Sequence, residues 1–169
     1  MWGLIAMAGA SLLAASFAFA GQTSPETPAW RVELRSSGGF SGRGAGGVVV
    51  QADGTVSLIR FGVVGGQKDW ETLCSVSLPE KIKPVADALR ALQNESWRAR
   101  YTPPDNPSGC CDLLQWELEV SRTKAGQLPA TQRTSWVGDD AALPENLARL
   151  RGALMDVWKA AKPSCAPVR

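Results

Sequence analysis

Leu114, Trp116, Leu118 and Val120 alternate with Gln115, Glu117 and Glu119. A period of two places the apolar side chains on one face of an extended strand and the polar ones on the other. Such a strand is half buried and needs sheet neighbours and a second layer over its apolar face. Trp30, Val32 and Leu34 repeat the pattern against Arg31, Glu33 and Arg35, predicting another strand with one wet face. Two such strands commit the chain to a sheet that is dry on one side only.

The remaining elements follow from local signals. Val48-Val49-Val50-Gln51 and the run Thr55 to Phe61 flank Ala52-Asp53-Gly54, and Asp-Gly between β-rich runs marks a hairpin. Residues 62–72 read as a loop with Gly65-Gly66 at its tip. Ile82, Val85, Leu89 and Leu92 form one helical stripe, predicting a helix over 78–94 that stops at Asn94. Ser77-x-x-Glu80 has the form of a capping box, and Pro79 suits a first turn. Pro84 demands either a kink or a separate turn before a helix that starts near it. Residues 102–109 read as loop and 123–127 as a turn. Thr131–Val137 returns as the antiparallel partner of the strand at Leu114, with Arg133 opposite one of its glutamates. Leu143, Leu147, Leu150, Leu154, Val157 and Trp158 predict a second helix over 143–162, ended by Pro163. No internal repeat is evident. The predicted fold class is α+β: one antiparallel sheet, both helices on one face, in the order β-β-β-α-β-β-α.

The first twenty residues carry no charged side chain and end Ala18-Phe19-Ala20 before Gly21, a pattern that fits a signal-peptidase site. No Lys or Arg precedes the apolar stretch, and an uncleaved anchor is the alternative. The stretch barely reaches the roughly 20 apolar residues of a spanning helix. The expectation is an exported protein, periplasmic or extracellular, with no membrane insertion after leader cleavage. Residues 1–20 are then a signal peptide, 21–29 a flexible lead-in, 30–162 a single domain and 163–169 a tail. Cys74, Cys110, Cys111 and Cys165 lie beyond the leader, and an even count in an oxidising compartment predicts two disulfides. A bridge between adjacent Cys110 and Cys111 closes a strained ring, so one is expected to reach Cys74 and the other Cys165. Zinc is the rival reading, but no C-x-x-C pair is present.

Composition closes several routes. With 18 basic and 16 acidic residues and no basic cluster, nothing marks a nucleic-acid partner. The chain has no histidine, which removes Ser-His-Asp and Cys-His catalysis and any His-based zinc site. We expect no catalytic set, no cofactor and no metal. The 7 Trp residues are spread along the chain and read as core filling rather than a stacking row. Asn94-Glu95-Ser96 matches a glycosylation acceptor but reads as a helix end. Glu117 and Glu119 read as a solvated sheet face opposite Arg133 rather than a catalytic carboxylate pair.

The Gly-rich run from Ser36 to Gly47 is the most unusual segment. It contains Gly42-x-Gly44-x-x-Gly47, but a dinucleotide site needs a helix N-terminus after the glycines, and here Val48-Val49-Val50 follows. No nucleotide is expected. Gly39-x-Ser41 lacks the last glycine of a nucleophile elbow, since position 43 is Arg. A plain flexible connection is the bland reading. The sharper one is a partner-binding loop of Ser37, Gly38, Gly39, Phe40, Ser41, Gly42 and Arg43, with Phe40 and Arg43 as anchors.

In order and spacing, residues 30–160 resemble a known family. The carrying residues are the strand Val32-Glu33-Leu34-Arg35 running into Ser36-Ser37-Gly38-Gly39-Phe40, then the helix with Leu89 and Leu92. Asp112-x-x-x-Trp116-x-Leu118-x-Val120 follows, and then Asp139 or Asp140 before Pro144-x-x-Leu147-x-x-Leu150. This set resembles the emfourins, small bacterial inhibitors of thermolysin-like metalloproteases related to protealysin. The chain departs from them in its leader, its four cysteines, the second Gly-rich half of its loop and its longer 62–72 insertion. The resemblance implies an inhibitor of a thermolysin-like metalloprotease, and the export expected from the leader makes that partner a secreted one. Residues 37–42 are then expected to enter the substrate cleft, led by Phe40. The alternative is a structural or assembly protein of the cell envelope with no catalytic activity.

Overall fold

β1 (Ala29–Gly38) sits in the middle of the sheet, pairing with β2 (Gly46–Gln51) on one side and β6 (Leu114–Thr123) on the other. The structure is a computed structural model that describes residues 29–38, 45–64, 67–103, 113–123, 127–138 and 143–165. β3 (Thr55–Val64) and β4 (Gln67–Ser77) extend the sheet beyond β2, while β7 (Ala130–Val137) and β5 (Arg100–Tyr101) extend it beyond β6. The order is β4-β3-β2-β1-β6-β7-β5, and every pair is antiparallel except β5 with β7. Helices α1 (Lys83–Ala91) and α2 (Glu145–Ala161) cover one face.

The alternating strands place their apolar residues as their period requires. Val32, Leu34, Val48, Val50, Val56, Leu118, Val120 and Trp136 are buried beneath Val85 and Leu89 of α1 and Leu147, Leu150 and Leu154 of α2. Burying each such side chain stabilises the fold by roughly 1.5–3 kcal/mol. Trp116 stacks on its register partner Trp136, with ring centres 6.2 Å apart. Trp30, Trp97 and Trp158 pack partly buried against the same core, in line with the core-filling reading of tryptophan.

The α+β class holds, but the sheet is mixed and larger than expected. Residues 62–72 are not a loop. Most of them belong to β3 and β4, which pair from Thr55–Ser77 to Val64–Gln67. A register shift between Leu58 and Ile59 leaves Leu73 as an extra residue on β4, a bulge that puts this side chain into solvent. The two-residue β5 pairs parallel to β7, so the sheet is not purely antiparallel.

The first helical segment is also subdivided. A 3-10 turn at Pro79–Lys81 precedes α1, and a second at Leu92–Asn94 follows it. Pro84 occupies the first turn of α1, where a missing N–H leaves no hydrogen bond broken. The capping box does not form, because Ser77 ends β4 and the cap position of the 3-10 turn is Leu78. The Asp-Gly hairpin turn is as read. Asp53 Oδ1 accepts from the Thr55 N–H at 2.8 Å, and Gly54 has φ +89°. A Cβ on Gly54 would lie 2.7 Å from Pro79 Cα, so both conformation and space demand glycine.

Cys74 of β4 is bonded to Cys165, in the 3-10 turn Lys162–Cys165 that follows α2, with Cα atoms 5.8 Å apart. This corrects the expected pairing of Cys74 and Cys165 with Cys110 and Cys111. α2 carries the C-terminal segment back to the β4 edge and so brings two cysteines 91 residues apart together. Cys110 and Cys111 lie outside the described residues, as does the leader. Among the described residues no helix is long and apolar enough to cross a membrane.

Candidate functional site

β1 ends at Ser37 and Gly38, which pair with Gln115 and Leu114 of β6. Gly38 has φ +89°, and a Cβ there would meet the Leu113 carbonyl at 3.3 Å, so a side chain is disfavoured both by conformation and by space. Ser36 Oγ donates to the Gly46 carbonyl at 3.0 Å, tying the last turn of β1 to the first residue of β2. The segment between them is therefore anchored on two adjacent strands. Gly39, Phe40, Ser41, Gly42 and Arg43 lie outside the described residues. The element after the glycines is β2, so no helix N-terminus is present there to hold a pyrophosphate.

Register gathers further strand ends at the same place. Gly38 lies opposite Leu114, Ser36 opposite Gly46, Val64 opposite Gln67 and Gln115 opposite Val137. The end of β1, the start of β2, the β3–β4 junction, the start of β6 and the end of β7 thus share one end of the sheet.

The face opposite the helices carries a second constellation. Glu33 lies on it between Val49 and Glu119, its register partners, yet is only 2% exposed. This corrects the wet-face reading for that residue. Arg31 and Arg35 flank Glu33 along β1 and both pair with its carboxylate, Arg31 at 2.6 Å. On the neighbouring strands Arg133 Nε donates to Glu119 Oε2 at 2.9 Å and lies 3.4 Å from Glu117. The Glu119 hydrogen bond, helped by the charge of both glutamates, raises the guanidinium of Arg133 above its ordinary value. Glu117 and Glu119 are thus the Arg133-paired sheet face read from the sequence.

Toward β4 the same face forms a polar depression of about 300 Å³, bordered by Arg31, Arg35, Ser57, Asp69 and Trp70. Val49 and Ile59 are buried in its floor although no helix covers them. Trp70 contacts Phe61 at 5.6 Å between ring centres. Sequence reading missed Glu33 and Trp70. For Trp70 the available signal was Gly65-Gly66 between Val63-Val64 and a Trp- and Thr-containing run, a spacing that also marks a hairpin. Compared with known proteins, the chain matches no family model and no curated sequence.

Proposed function

We propose that the protein is an exported binding protein, most concretely an emfourin-like inhibitor of a secreted thermolysin-like metalloprotease, acting through the β1–β2 connection. The observation that carries this reading is the anchoring of that connection. Its two ends sit on adjacent antiparallel strands, tied by the Ser36–Gly46 hydrogen bond, at the sheet end where β6 starts and β7 ends. A loop held this way can enter a cleft without disturbing the core. The Cys74–Cys165 disulfide supports export, since such bonds persist in oxidising compartments.

Phe40 is the large apolar residue of residues 37–43, and thermolysin-like enzymes favour such a side chain next to the cut bond. Its burial supplies the anchor, and the glycines allow close backbone approach. The test is inhibition of a panel of thermolysin-like proteases by wild type and Phe40→Ala side by side. The variant is expected to bind about 2–4 kcal/mol more weakly, the range of an interface hot spot. No inhibition by wild type at micromolar concentration overturns the inhibitor reading and favours an envelope role. Equal inhibition by both proteins moves the contact away from Phe40.

A further inference from the structure

Arg122 on β6 is half-buried and ends on neutral partners. Its Nη1 donates to Gln132 Oε1 at 2.8 Å and its Nη2 to the Leu89 carbonyl at 3.2 Å. No carboxylate of the described residues pairs with it. Burial holds its guanidinium below the ordinary value. Leu89 lies in the last turn of α1, whose C-terminal carbonyls offset only about half an elementary charge. A guanidinium has five donor hydrogens, and two are accounted for.

Beside Arg122 a cavity of about 180 Å³ opens between α1 and the ends of β1 and β6. Trp30, Ala86 and Leu89 give it apolar walls, and Arg122 is part of its lining. Trp30 and Arg122 are direct cross-strand partners, which sets indole and guanidinium side by side. Arg90, also at the cavity, is held by Asp87 at 2.8 Å. The site thus offers one uncommitted cation, planar donors and an apolar wall. Ala29 and Trp30 place it at the opposite end of β1 from Ser37 and Gly38, so it is independent of the inhibitor reading.

We propose that this cavity binds a free organic acid, a monocarboxylate whose apolar body has about five to seven carbons, the size that a cavity of this order accepts. The carboxylate pairs with Arg122 in the fork geometry that guanidinium and carboxylate share, and the body packs on Trp30, Ala86 and Leu89. A second carboxylate would find no free cation, because Arg90 is taken by Asp87.

The experiment titrates hexanoate and benzoate into the ¹⁵N-labelled full-length protein and follows backbone amide and Trp indole signals. Hexanamide and benzamide serve as neutral counterparts. Saturable shifts are expected at the Trp30 indole and the Leu89 amide with the acids, and binding of the amides is expected to be at least about tenfold weaker. Arg122→Gln should weaken acid binding by the same factor. Ala86→Leu keeps Arg122 and fills the cavity, so it should remove binding, and it decides the matter if Arg122→Gln does not fold. No saturable shift at Trp30 with either acid, equal binding of acids and amides, or unchanged binding by Ala86→Leu overturns the proposal.

Discussion

The Arg35 guanidinium lies 5.3 Å from the centre of the Trp70 ring, although β2 and β3 separate the two residues in the sheet. They meet over a row in which Gly47 is the partner of Arg35 and Ile59 the partner of Gly47. The contact shelters Ile59, which is buried on a face without helices. A Cβ on Gly47 would lie 2.4 Å from the Leu34 carbonyl and 3.0 Å from Ile59 Cγ1. Gly47→Ala is therefore expected to destabilise by about 1–3 kcal/mol through overpacking. Trp70→Ala, which removes the aromatic cover and its cation contact, is expected to cost about 1–3 kcal/mol. Urea unfolding midpoints of both variants check this.

Glu33 is the buried member of an otherwise half-exposed group of charges. Replacing it with Gln keeps the shape and removes the charge that Arg31 and Arg35 share. Because both arginines remain partly in solvent, the loss should be about 1–3 kcal/mol, below that of a fully buried pair. Chemical denaturation of Glu33→Gln at low and high salt measures it. A variant as stable as wild type at low salt would deny Glu33 any electrostatic role.

Thr134 Oγ1 is buried without a hydrogen-bond partner, on the core-facing side of β7 opposite Leu118. An unpaired buried hydroxyl carries its desolvation cost, so Thr134→Val should leave stability unchanged or raise it by up to about 1 kcal/mol. Thermal unfolding of the two proteins side by side is the measurement. A clear loss would reveal a partner for the hydroxyl.

The sequence made the half-buried strands legible and left the sheet margins obscure, for physical reasons. Leu114 to Val120 and Trp30 to Leu34 announce their buried face by a period of two, because one side meets the helices and the other water. β4 has no such contrast. It lies at the sheet edge, and the bulge at Leu73 breaks its period. β5 is two residues long, too short for any pattern. Glu33 obeys the alternation, but its burial comes from Arg31 and Arg35 folding over it and from strands distant in sequence, which no local window contains. The disulfide pairing was illegible for the same reason, since it depends on where α2 returns the chain. Of the expected partner loop, Ser37 and Gly38 lie at the end of β1, while the expected anchors Phe40 and Arg43 lie outside the described residues.

Acid should unfold the protein partly through two carboxylates, Asp53 in the β2–β3 turn and Asp87 within α1. The backbone N–H of Thr55 lowers the pKa of Asp53, and hydrogen bonds from Lys83 and then Arg90 lower that of Asp87, both from an ordinary value of 3.8. A carboxylate with a depressed folded pKa binds fewer protons in the folded state than in the unfolded state across that interval. Its stabilisation is therefore full above about pH 4 and is lost as pH falls through the folded value. Asp87→Asn should flatten the acid limb of a stability profile between pH 5 and 2 while leaving its slope near neutrality unchanged. An unaltered acid limb would remove Asp87 from the account.

The Cys74–Cys165 bond closes a span of 91 residues and fastens the end of α2 to the outermost strand. A cross-link of that span restricts the unfolded chain strongly, and its removal should cost about 2–5 kcal/mol. Because β4 otherwise pairs only with β3, the loss should concentrate there. Amide exchange in β4 and the last turn of α2 should accelerate on reduction more than in β1 and β6, which lie at the centre of the sheet. Unfolding of the oxidised protein and of the Cys74→Ser, Cys165→Ser double variant, with amide exchange on both, tests the two statements together. Non-reducing peptide mapping should recover the Cys74–Cys165 peptide pair. Recovery of Cys74 or Cys165 joined to Cys110 or Cys111 would restore the pairing expected from the sequence and discard this one.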